Sequence, residues 1–322
     1  MQTRTLPHTD LAVSRACFGT MTFGGQTDEA AAARMVDLCL DRGVNFFDTA
    51  NAYTGGQSET ILGRILNGRR SRVILASKVG VKAAQPVDAP PLSRRSILAN
   101  IDATLRRLET DYLDLYYLHL PDYETPLEET LAAMDEVVKA GKVRYPAVSN
   151  FAAWQVCRMM WIAERSCYAA PYLSQPMYNL LARGIEQEYL PFCREFGVST
   201  IVYNPLAGGL LTGKQQRERP LSGSRFDSNQ LYLDRYWHPA YFDAVDELDQ
   251  AARQAGLTLV ELSLAWLFGH SAADCVILGA SRIEQLEQNL AACERGPLPD
   301  ETLAACDRVW QNLRGVAPKY NR

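Results

Sequence analysis

Four side chains that can carry or orient a proton follow three apolar segments of the chain. Asp48 ends the first segment, and Tyr53 comes five residues later. Lys78 and His119 end the other two. An ammonium group beside a phenol lowers the pKa of the phenol, and a carboxylate keeps the ammonium charged. With an imidazole to orient a carbonyl oxygen, such a group of residues could protonate that oxygen while hydride reaches its carbon.

Each of these residues taken alone has a plainer interpretation. Asp48 could form a turn, Tyr53 could be an exposed loop aromatic, Lys78 could extend from a strand end into solvent, and His119 could be a structural histidine. Their occurrence at the ends of successive strands, in this order, favours the catalytic interpretation.

Short β-branched or aromatic runs alternate with amphipathic stretches, a pattern typical of parallel strands joined by crossover helices. The predicted strands are Ala16 to Met21, Val44 to Asp48, Val73 to Lys78, Leu113 to His119, Val143 to Ser149, Tyr172 to Tyr178, Val198 to Tyr203 and Cys275 to Leu278. A hairpin over Arg4 to Val13, turning near His8, precedes them. The predicted helices include Asp28 to Arg42, Ser58 to Leu66, Ser93 to Leu108, Leu127 to Ala140 and Ala152 to Arg165.

Helix boundaries are marked by capping residues and glycines. Thr27 and Ser93 each precede a helix, and Ser281 to Glu284 has the pattern of a capping box. Four helices are followed by a glycine suited to a left-handed end, namely Gly43, Gly68, Gly141 and Gly197. Eight strands alternating with helices over 322 residues favour one (β/α)₈ TIM barrel domain, residues 1–322, over a doubly wound sheet.

Composition excludes several other classes of protein. The formal net charge of −4 disfavours nucleic-acid binding. No apolar run reaches the length of a membrane span, and the N-terminus lacks the features of a secretory signal, so we expect a cytoplasmic protein. The eight cysteines are dispersed and none of the four histidines has a neighbour at metal-ligand spacing, so no metal site is expected.

Nucleotide-binding loops of the common kinds are missing. No G-x-G-x-x-G occurs, and the P-loop-like segment Gly208 to Lys214 has Gln215 where Ser or Thr should contact magnesium. The chain then becomes polar and irregular up to Tyr236, which indicates either a disordered segment or a lid over the site.

The blocks Asp48-Thr49-Ala50 to Tyr53, Gly141 to Asn150 and Gly279-Ala280-Ser281-Arg282 together resemble the aldo-keto reductase family, and the match covers nearly the whole chain. The resemblance assigns Asp48, Tyr53, Lys78 and His119 to the catalytic tetrad. It implies a nicotinamide cofactor across the barrel mouth, bound without a Rossmann fold.

The resemblance also implies which residues hold that cofactor. Its carboxamide would contact Ser149, Asn150 and Gln175, and Tyr203 would stack on the nicotinamide ring, although Tyr203 could equally pack beneath the following loop. Pyrophosphate contacts would come from the loop of Asn204, Leu206, Gly208 and Leu210.

The block that begins at Gly279 bears on the adenosine end. Ser281 and Arg282 open a helix whose N-terminus could attract phosphate, and Arg282 is suited to a 2′-phosphate, so NADP is favoured over NAD. Gln285, Gln288 and Asn289 would face the adenosine, although many relatives have Glu in place of Gln288. Arg282 could instead be an ordinary exposed arginine.

These inferences predict an NADPH-dependent carbonyl reductase that acts on a small-molecule aldehyde or ketone. Phe18, Met21, Tyr116 and Trp237 are the expected substrate-lining residues. Two alternatives stay open: an NADP-binding regulatory subunit like the potassium-channel β subunits, and a cofactor-free barrel lyase or isomerase. The sequence also leaves a homo-oligomer open.

Overall fold

The computed structural model describes residues 1–227, 229–316 and 321. Ten strands within these ranges bear on the fold: β1 (Thr3–Thr5), β2 (Ala12–Ser14), β3 (Ala16–Gly19), β4 (Phe46–Asp48), β5 (Ile74–Val79), β6 (Leu113–Leu118), β7 (Val143–Ser149), β8 (Leu173–Gln175), β9 (Ser199–Val202) and β10 (Cys275–Gly279). The last eight are parallel and close into a barrel in the order β10-β3-β4-β5-β6-β7-β8-β9. The predicted (β/α)₈ barrel is confirmed.

Helices surround this barrel. They are α1 (Glu29–Asp41), α2 (Gln57–Leu66), α3 (Arg94–Leu108), α4 (Leu127–Lys139), α5 (Ala153–Ser166), α6 (Tyr189–Phe196), α7 (Gln230–Tyr236), α8 (Pro239–Gln254), α9 (Leu259–His270), α10 (Ile283–Cys293) and α11 (Asp300–Arg314). The five helices predicted from the sequence, α1 to α5, are confirmed to within one residue at each end. Within the described ranges, none of the helices has both the length and the apolar character needed to cross a bilayer.

Two of the predicted helix starts are wrong. Asp28, not Thr27, caps α1: its carboxylate accepts a hydrogen bond from the Ala31 amide at 2.7 Å. The capping box at Ser281 does not form, because the side chain that returns to the Ser281 amide is that of Gln285, at 2.9 Å. The prediction for Ser93 is confirmed, since its hydroxyl accepts from the Ser96 amide. The four glycines predicted at helix ends all have positive φ, between 66° and 73°.

The β1–β2 hairpin closes the amino-terminal end of the barrel. Leu6, Leu11 and Val13 are buried in one cluster with the side chains of the barrel interior. The hairpin is also tied to the start of β7: the Asp10 carboxylate pairs with Arg144, and the Asp10 amide donates a hydrogen bond to the Tyr145 hydroxyl at 3.2 Å. The opposite, carboxyl end of the barrel is where the predicted site residues lie.

Strand alternation decides which side chains enter the barrel. Phe46 belongs to the interior cluster and Phe47 to the outer cluster between barrel and helices, so Asp48 faces inward again. On β5, Ile74 and Ala76 face inward, and Lys78 follows them. The same alternation therefore delivers a carboxylate and an ammonium to the same end of the interior.

Alternation also shows that two predicted substrate-lining residues are wrong. Phe18 and Tyr116 are fully buried in the outer cluster, on the helix side of β3 and β6. Their neighbours Cys17 and Tyr117 are the ones that face the interior. Neither Phe18 nor Tyr116 is therefore placed to contact a substrate in the barrel mouth.

The polar segment after β9 is more structured than predicted. It includes α7, and its loop is fastened to α8 by Arg217, whose guanidinium pairs with Asp243 at 2.7 Å and with Asp246 at 2.5 Å. Phe226 in the same loop is fully buried, 5.2 Å from Trp237 between ring centres. The described part of this segment is thus an ordered loop and helix packed on the protein, and not an extended chain without contacts.

Candidate active site

The four ionisable residues predicted to act together do lie together. Asp48 ends β4 and pairs in register with Ala76 of β5, two residues before Lys78. Lys78 pairs in register with Tyr117 of β6, two residues before His119. Tyr53 is in a 3₁₀ turn that follows β4, Tyr53–Gly56. Three adjacent strands and one turn therefore bring the four side chains to the carboxyl end of the barrel.

Lys78 is the centre of this group. Its side chain is completely buried, which excludes the interpretation that it extends into solvent. Its ammonium donates to Asp48 Oδ1, to the Thr49 carbonyl oxygen at 2.8 Å and to the Tyr53 hydroxyl oxygen at 3.3 Å. Three acceptors thus compensate the cost of removing the charge from water.

The pKa values of Lys78 and Tyr53 follow from burial and from their mutual contact. Burial lowers the pKa of Lys78, but Asp48 and Tyr53 outweigh it, and the pKa is raised above its usual value. Burial raises the pKa of Tyr53, and Lys78 opposes that shift without overcoming it. The predicted direction of the Lys78 effect is therefore right, whereas the predicted net lowering of the Tyr53 pKa is wrong.

His119 lies against Tyr53 with the two rings nearly perpendicular, their centres 6.1 Å apart. Burial, with a smaller contribution from Lys78, lowers the pKa of His119 to about 3. The imidazole is consequently neutral over the physiological range. Its Nδ1 is buried and has no hydrogen-bond partner among the described residues. A neutral imidazole beside a buried phenol can orient a carbonyl oxygen without carrying a charge.

The residues that the resemblance assigns to the carboxamide form one hydrogen-bonded set. The Tyr203 hydroxyl donates to Asn150 Oδ1 at 2.7 Å, and Asn150 Nδ2 donates to the Ser149 hydroxyl at 3.0 Å and to the His119 carbonyl at 2.9 Å. Ser149 in turn donates to the Gln175 carbonyl at 2.9 Å. The structure therefore joins these four residues to each other and to the tetrad.

The loop predicted to contact pyrophosphate is tightly folded on itself. Asn204 Oδ1 accepts from the Gly208 amide at 2.8 Å, and the Gly209 amide donates to the Leu206 carbonyl at 2.8 Å. Leu210 is buried in the outer cluster, so its side chain cannot reach a ligand. A side chain at Gly209 would meet open space, with no atom within 4 Å. Only the outer face of this loop is open to a phosphate.

The block from Gly279 to Asn289 divides into internal and external residues. Gln285 accepts from the Ser281 amide and hydroxyl, and Asn289 is buried, with its Nδ2 donating to the Gly279 carbonyl at 3.2 Å. Gln288 and Arg282 are exposed. Arg282 forms no ion pair with any described carboxylate. Of the predicted adenosine-side residues, Arg282 and Gln288 are therefore the freest to meet a ligand.

Residues of α7 and the loop before it were not predicted from the sequence. The Tyr236 hydroxyl accepts from Asn204 Nδ2 at 2.9 Å and from Asn179 Nδ2 at 3.0 Å. Burial raises the pKa of Tyr203, and Arg235 opposes this shift, which places Arg235 in the electrostatic environment of the site. No spacing in the sequence marks these residues, because their segment has neither strand nor helix periodicity over its first half.

The substrate side of the site can be compared with the two remaining predictions. Met21 is partly exposed, and Trp237 is half-buried between Phe226 and Phe242.

No three His, Cys, Asp or Glu side chains in the part of the chain that the structure describes are grouped so as to hold a metal ion.

Comparison with known proteins adds two findings. The model of the aldo/keto reductase family matches residues 15–311. The chain is 38% identical to human aflatoxin B1 aldehyde reductase member 2, over 94% of this chain and 88% of that protein. It is 36% identical to a probable voltage-gated potassium channel subunit beta of Arabidopsis thaliana, over 92% and 93%. It is also 34% identical to the uncharacterized oxidoreductase YrpG of Bacillus subtilis, over 98% of this chain and 97% of that protein.

Proposed function

Because the chain belongs to the aldo/keto reductase family, we propose that it is an NADPH-dependent carbonyl reductase in which Tyr53 is the proton donor. One observation carries the proposal: the buried ammonium of Lys78 contacts both Asp48 and the Tyr53 hydroxyl. Burying a charge costs several kcal/mol unless the charge is both paired and hydrogen-bonded, as that of Lys78 is. Such an arrangement is typical of a site whose pKa values serve a reaction.

The residues at the barrel mouth fit a nicotinamide cofactor. The amide and hydroxyl groups of Ser149, Asn150 and Gln175 can hydrogen-bond a carboxamide, and the Tyr203 ring lies beside them. Open space at Gly209 and Gly279 allows close approach of a ligand to the backbone. The guanidinium of Arg282 is exposed and forms no ion pair with the described residues, so it suits a phosphate group. When bound, such a cofactor supplies the hydride.

In the proposed reaction Tyr53 gives its hydroxyl proton to the carbonyl oxygen. The raised pKa keeps this hydroxyl protonated at neutral pH, so the donor form is the resting form. As the proton leaves, negative charge develops on the tyrosine oxygen, and Lys78 stabilises it from 3.3 Å. Asp48 keeps Lys78 charged. His119, held neutral, donates a hydrogen bond that orients the substrate oxygen.

The preference for NADP over NAD rests on Arg282. It is exposed next to the start of α10 and makes no ion pair with a described residue, so its charge is available for a 2′-phosphate. Gln288 is exposed one to two helical turns further on. Gln285 and Asn289 are engaged in internal hydrogen bonds and support the position of Ser281 and Gly279 instead.

A regulatory subunit is the second candidate. The observation in its favour is the 36% identity to a probable potassium channel subunit beta, over nearly the whole of both chains. Such a protein would bind the same cofactor at the same residues and reduce carbonyls too slowly for metabolism.

Stopped-flow and steady-state measurements of NADPH oxidation separate the two candidates. We expect the protein to bind NADPH more tightly than NADH and to oxidise it with a panel of aldehydes and ketones, at a turnover of about 1 per second or faster. NADPH binding with turnover slower than about one per minute on every carbonyl would favour the regulatory role. Failure to bind any nicotinamide dinucleotide would reject both.

A further inference from the structure

Gln175 makes a contact that the predicted role in cofactor binding does not require. It is the last residue of β8 and is 3% exposed. Its side-chain amide nitrogen donates a hydrogen bond to Asp48 Oδ2 at 2.9 Å. The other oxygen of the same carboxylate, Oδ1, accepts from Lys78. The two oxygens of Asp48 thus have different partners, one on each side.

This contact crosses the barrel. In the closed order of strands, β8 is four places from β4 in either direction, so the two strands are on opposite walls. Strand pairing therefore does not force Gln175 and Asp48 together. Their hydrogen bond forms because both side chains point into the interior at the same level, where Gln175 is 3% and Asp48 2% exposed.

We infer that Gln175 is a positioning residue, which fixes the rotation of the Asp48 carboxylate so that only one of its oxygens serves Lys78. Its catalytic meaning rests on the proposed function; its effect on Asp48 does not. With Oδ2 occupied, Asp48 cannot turn both oxygens towards the ammonium. The positive charge of Lys78 is consequently less screened by Asp48, and the ammonium keeps its hydrogen bond to the Tyr53 hydroxyl.

The same residue connects the predicted cofactor side of the site to the proton donor. The main-chain oxygen of Gln175 accepts from Ser149, which accepts from Asn150, which accepts from Tyr203. The side chain of Gln175 continues this chain to Asp48. A ligand that hydrogen-bonds Gln175 would therefore alter the setting of Lys78 and Tyr53, and by thermodynamic reciprocity the state of Tyr53 would alter the affinity for that ligand.

The effect on Tyr53 has a definite sign. Five ionisable groups face it: Lys78 from β5, Asp48 from β4, His119 after β6, Tyr203 after β9 and Tyr232 on α7. Lys78 is the group that lowers the Tyr53 pKa. If Gln175 releases Oδ2, Asp48 pairs with Lys78 through both oxygens and screens it from the phenol. Loss of the Gln175 amide should therefore raise the Tyr53 pKa.

The test uses the cofactor-free protein with ¹³C at the tyrosine ζ position. The Tyr53 resonance is assigned by its loss in Tyr53→Phe and is followed from about pH 8 to about pH 12, because the folded protein holds the Tyr53 pKa above its ordinary value of about 10. We expect Gln175→Met, which keeps the length of the side chain but not its amide, to shift the Tyr53 titration upward by about 0.5 to 1 unit. Gln175→Asn, which keeps an amide too short to reach Asp48, should shift it in the same direction.

Two controls separate positioning from a general loss of structure. Gln155→Met removes another buried glutamine, on α5, whose Oε1 accepts from the Ala152 amide just before that helix, and should leave the Tyr53 signal unchanged. In an Asp48→Asn background, Gln175→Met should add no further shift, because the carboxylate on which it acts is gone. A structural effect would instead add to that of Asp48→Asn.

Two results would overturn the inference: a Tyr53 signal in both Gln175 variants that matches the wild type over the whole pH range, or an equal shift with and without Asp48. Neither readout involves turnover. If the shift is present and carbonyl reduction is absent, the proposed function fails and the positioning role stands. If reduction is fast and the shift is absent, the reverse holds.

Discussion

The Lys78 ammonium lies 3.3 Å from the Tyr53 hydroxyl oxygen and 4.9 Å from the centre of the same ring. It therefore contacts the edge of the phenol at the atom that would lose a proton, and it is also near the ring face. Since burial raises the pKa of Tyr53 and Lys78 opposes that change, the phenol is held protonated while its anion is stabilised. The first two predictions follow from this contact.

Removing the Tyr53 hydroxyl should strongly slow carbonyl reduction and leave cofactor binding unchanged. Tyr53→Phe deletes the proposed proton donor but none of the groups predicted to hold the cofactor. We expect carbonyl reduction to fall by about 10²- to 10⁴-fold with an unchanged NADPH dissociation constant. Tyr123→Phe, at a tyrosine that is 84% exposed, is the matched control. Unaltered turnover in Tyr53→Phe would mean that another group donates the proton.

Removing Lys78 should cost both activity and stability, for separable reasons. Lys78→Met leaves Asp48 buried without its cation, which should lower the free energy of unfolding by about 3 kcal/mol. Asp48→Asn in the same chain removes the unpaired charge, so the double variant should regain most of that stability without regaining activity. Urea unfolding measures the first effect and NADPH oxidation the second. Equal stability of the single and double variants would show that the buried pair is not coupled.

His119 should make stability depend on pH in acid. Its pKa of about 3 in the folded protein is below the unfolded value of about 6.5. Well above pH 6.5 the imidazole is neutral in both states, and the full stability is present. As the pH falls below 6.5, the unfolded chain binds a proton that the folded protein does not, so the free energy of unfolding decreases. The loss between about pH 7.5 and pH 5 should be about 1–2 kcal/mol, because most of the unfolded chains bind this proton within that interval.

The His119→Gln variant isolates this contribution. Glutamine cannot titrate, so the variant should lose less stability than the wild type over the same interval, as measured by urea unfolding at both pH values. A direct check is the His119 imidazole resonance, identified by its absence in the variant. Titration of that resonance near pH 6 to 7 would contradict the proposed neutral state.

Arg282→Ala should discriminate between the two dinucleotides. Loss of a charged contact to a 2′-phosphate would weaken NADPH binding by about 10- to 100-fold and leave NADH binding almost unchanged. Arg308, exposed on α11, provides the control, since Arg308→Ala removes the same charge elsewhere. Fluorescence titration with both cofactors measures the four constants. Parallel losses for NADPH and NADH would assign Arg282 to a general role.

Two helical glycines should respond in opposite ways to an added methyl group. A Cβ at Gly63 on α2 would lie 2.6 Å from the Leu108 carbonyl carbon and 2.7 Å from the Arg107 carbonyl oxygen, both main-chain atoms of α3. Gly63→Ala should therefore destabilise the protein by about 1–3 kcal/mol. Gly269 on α9 has no atom within 4 Å, and Gly269→Ala should stabilise by up to about 1 kcal/mol. Urea unfolding of both variants gives the comparison.

Much of the site could be predicted because strand periodicity and strand ends are local properties of the chain. Asp48, Lys78 and His119 each lie within one residue of a strand end, and neighbouring parallel strands end at the same rim. The sequence predicts wrongly where the outcome depends on which way a side chain points from its strand, or on contacts between residues far apart in the chain. Residue type alone favours Phe18 and Tyr116 as substrate-lining residues, although period-two alternation with Cys17 and Tyr117 turns them outward.

The other differences from prediction depend on tertiary structure. The net pKa of Tyr53 is decided by burial, which the sequence does not give. The bond between Gln175 and Asp48 joins residues 127 positions apart on opposite walls of the barrel. At Ser281, a glutamine one residue beyond the expected glutamate reaches the free amide, a choice that the capping pattern could not resolve.

The hairpin that seals the far end of the barrel with Leu6, Leu11 and Val13 has a kinetic consequence. Because this end is closed, reactants can reach Lys78 and Tyr53 only from the carboxyl end of the barrel, so a reactant bound deeper at that end must arrive first and leave last. If the dinucleotide occupies the deeper position, its departure would then wait for the alcohol to leave, and the exchange of spent for fresh coenzyme becomes the natural bottleneck of each cycle.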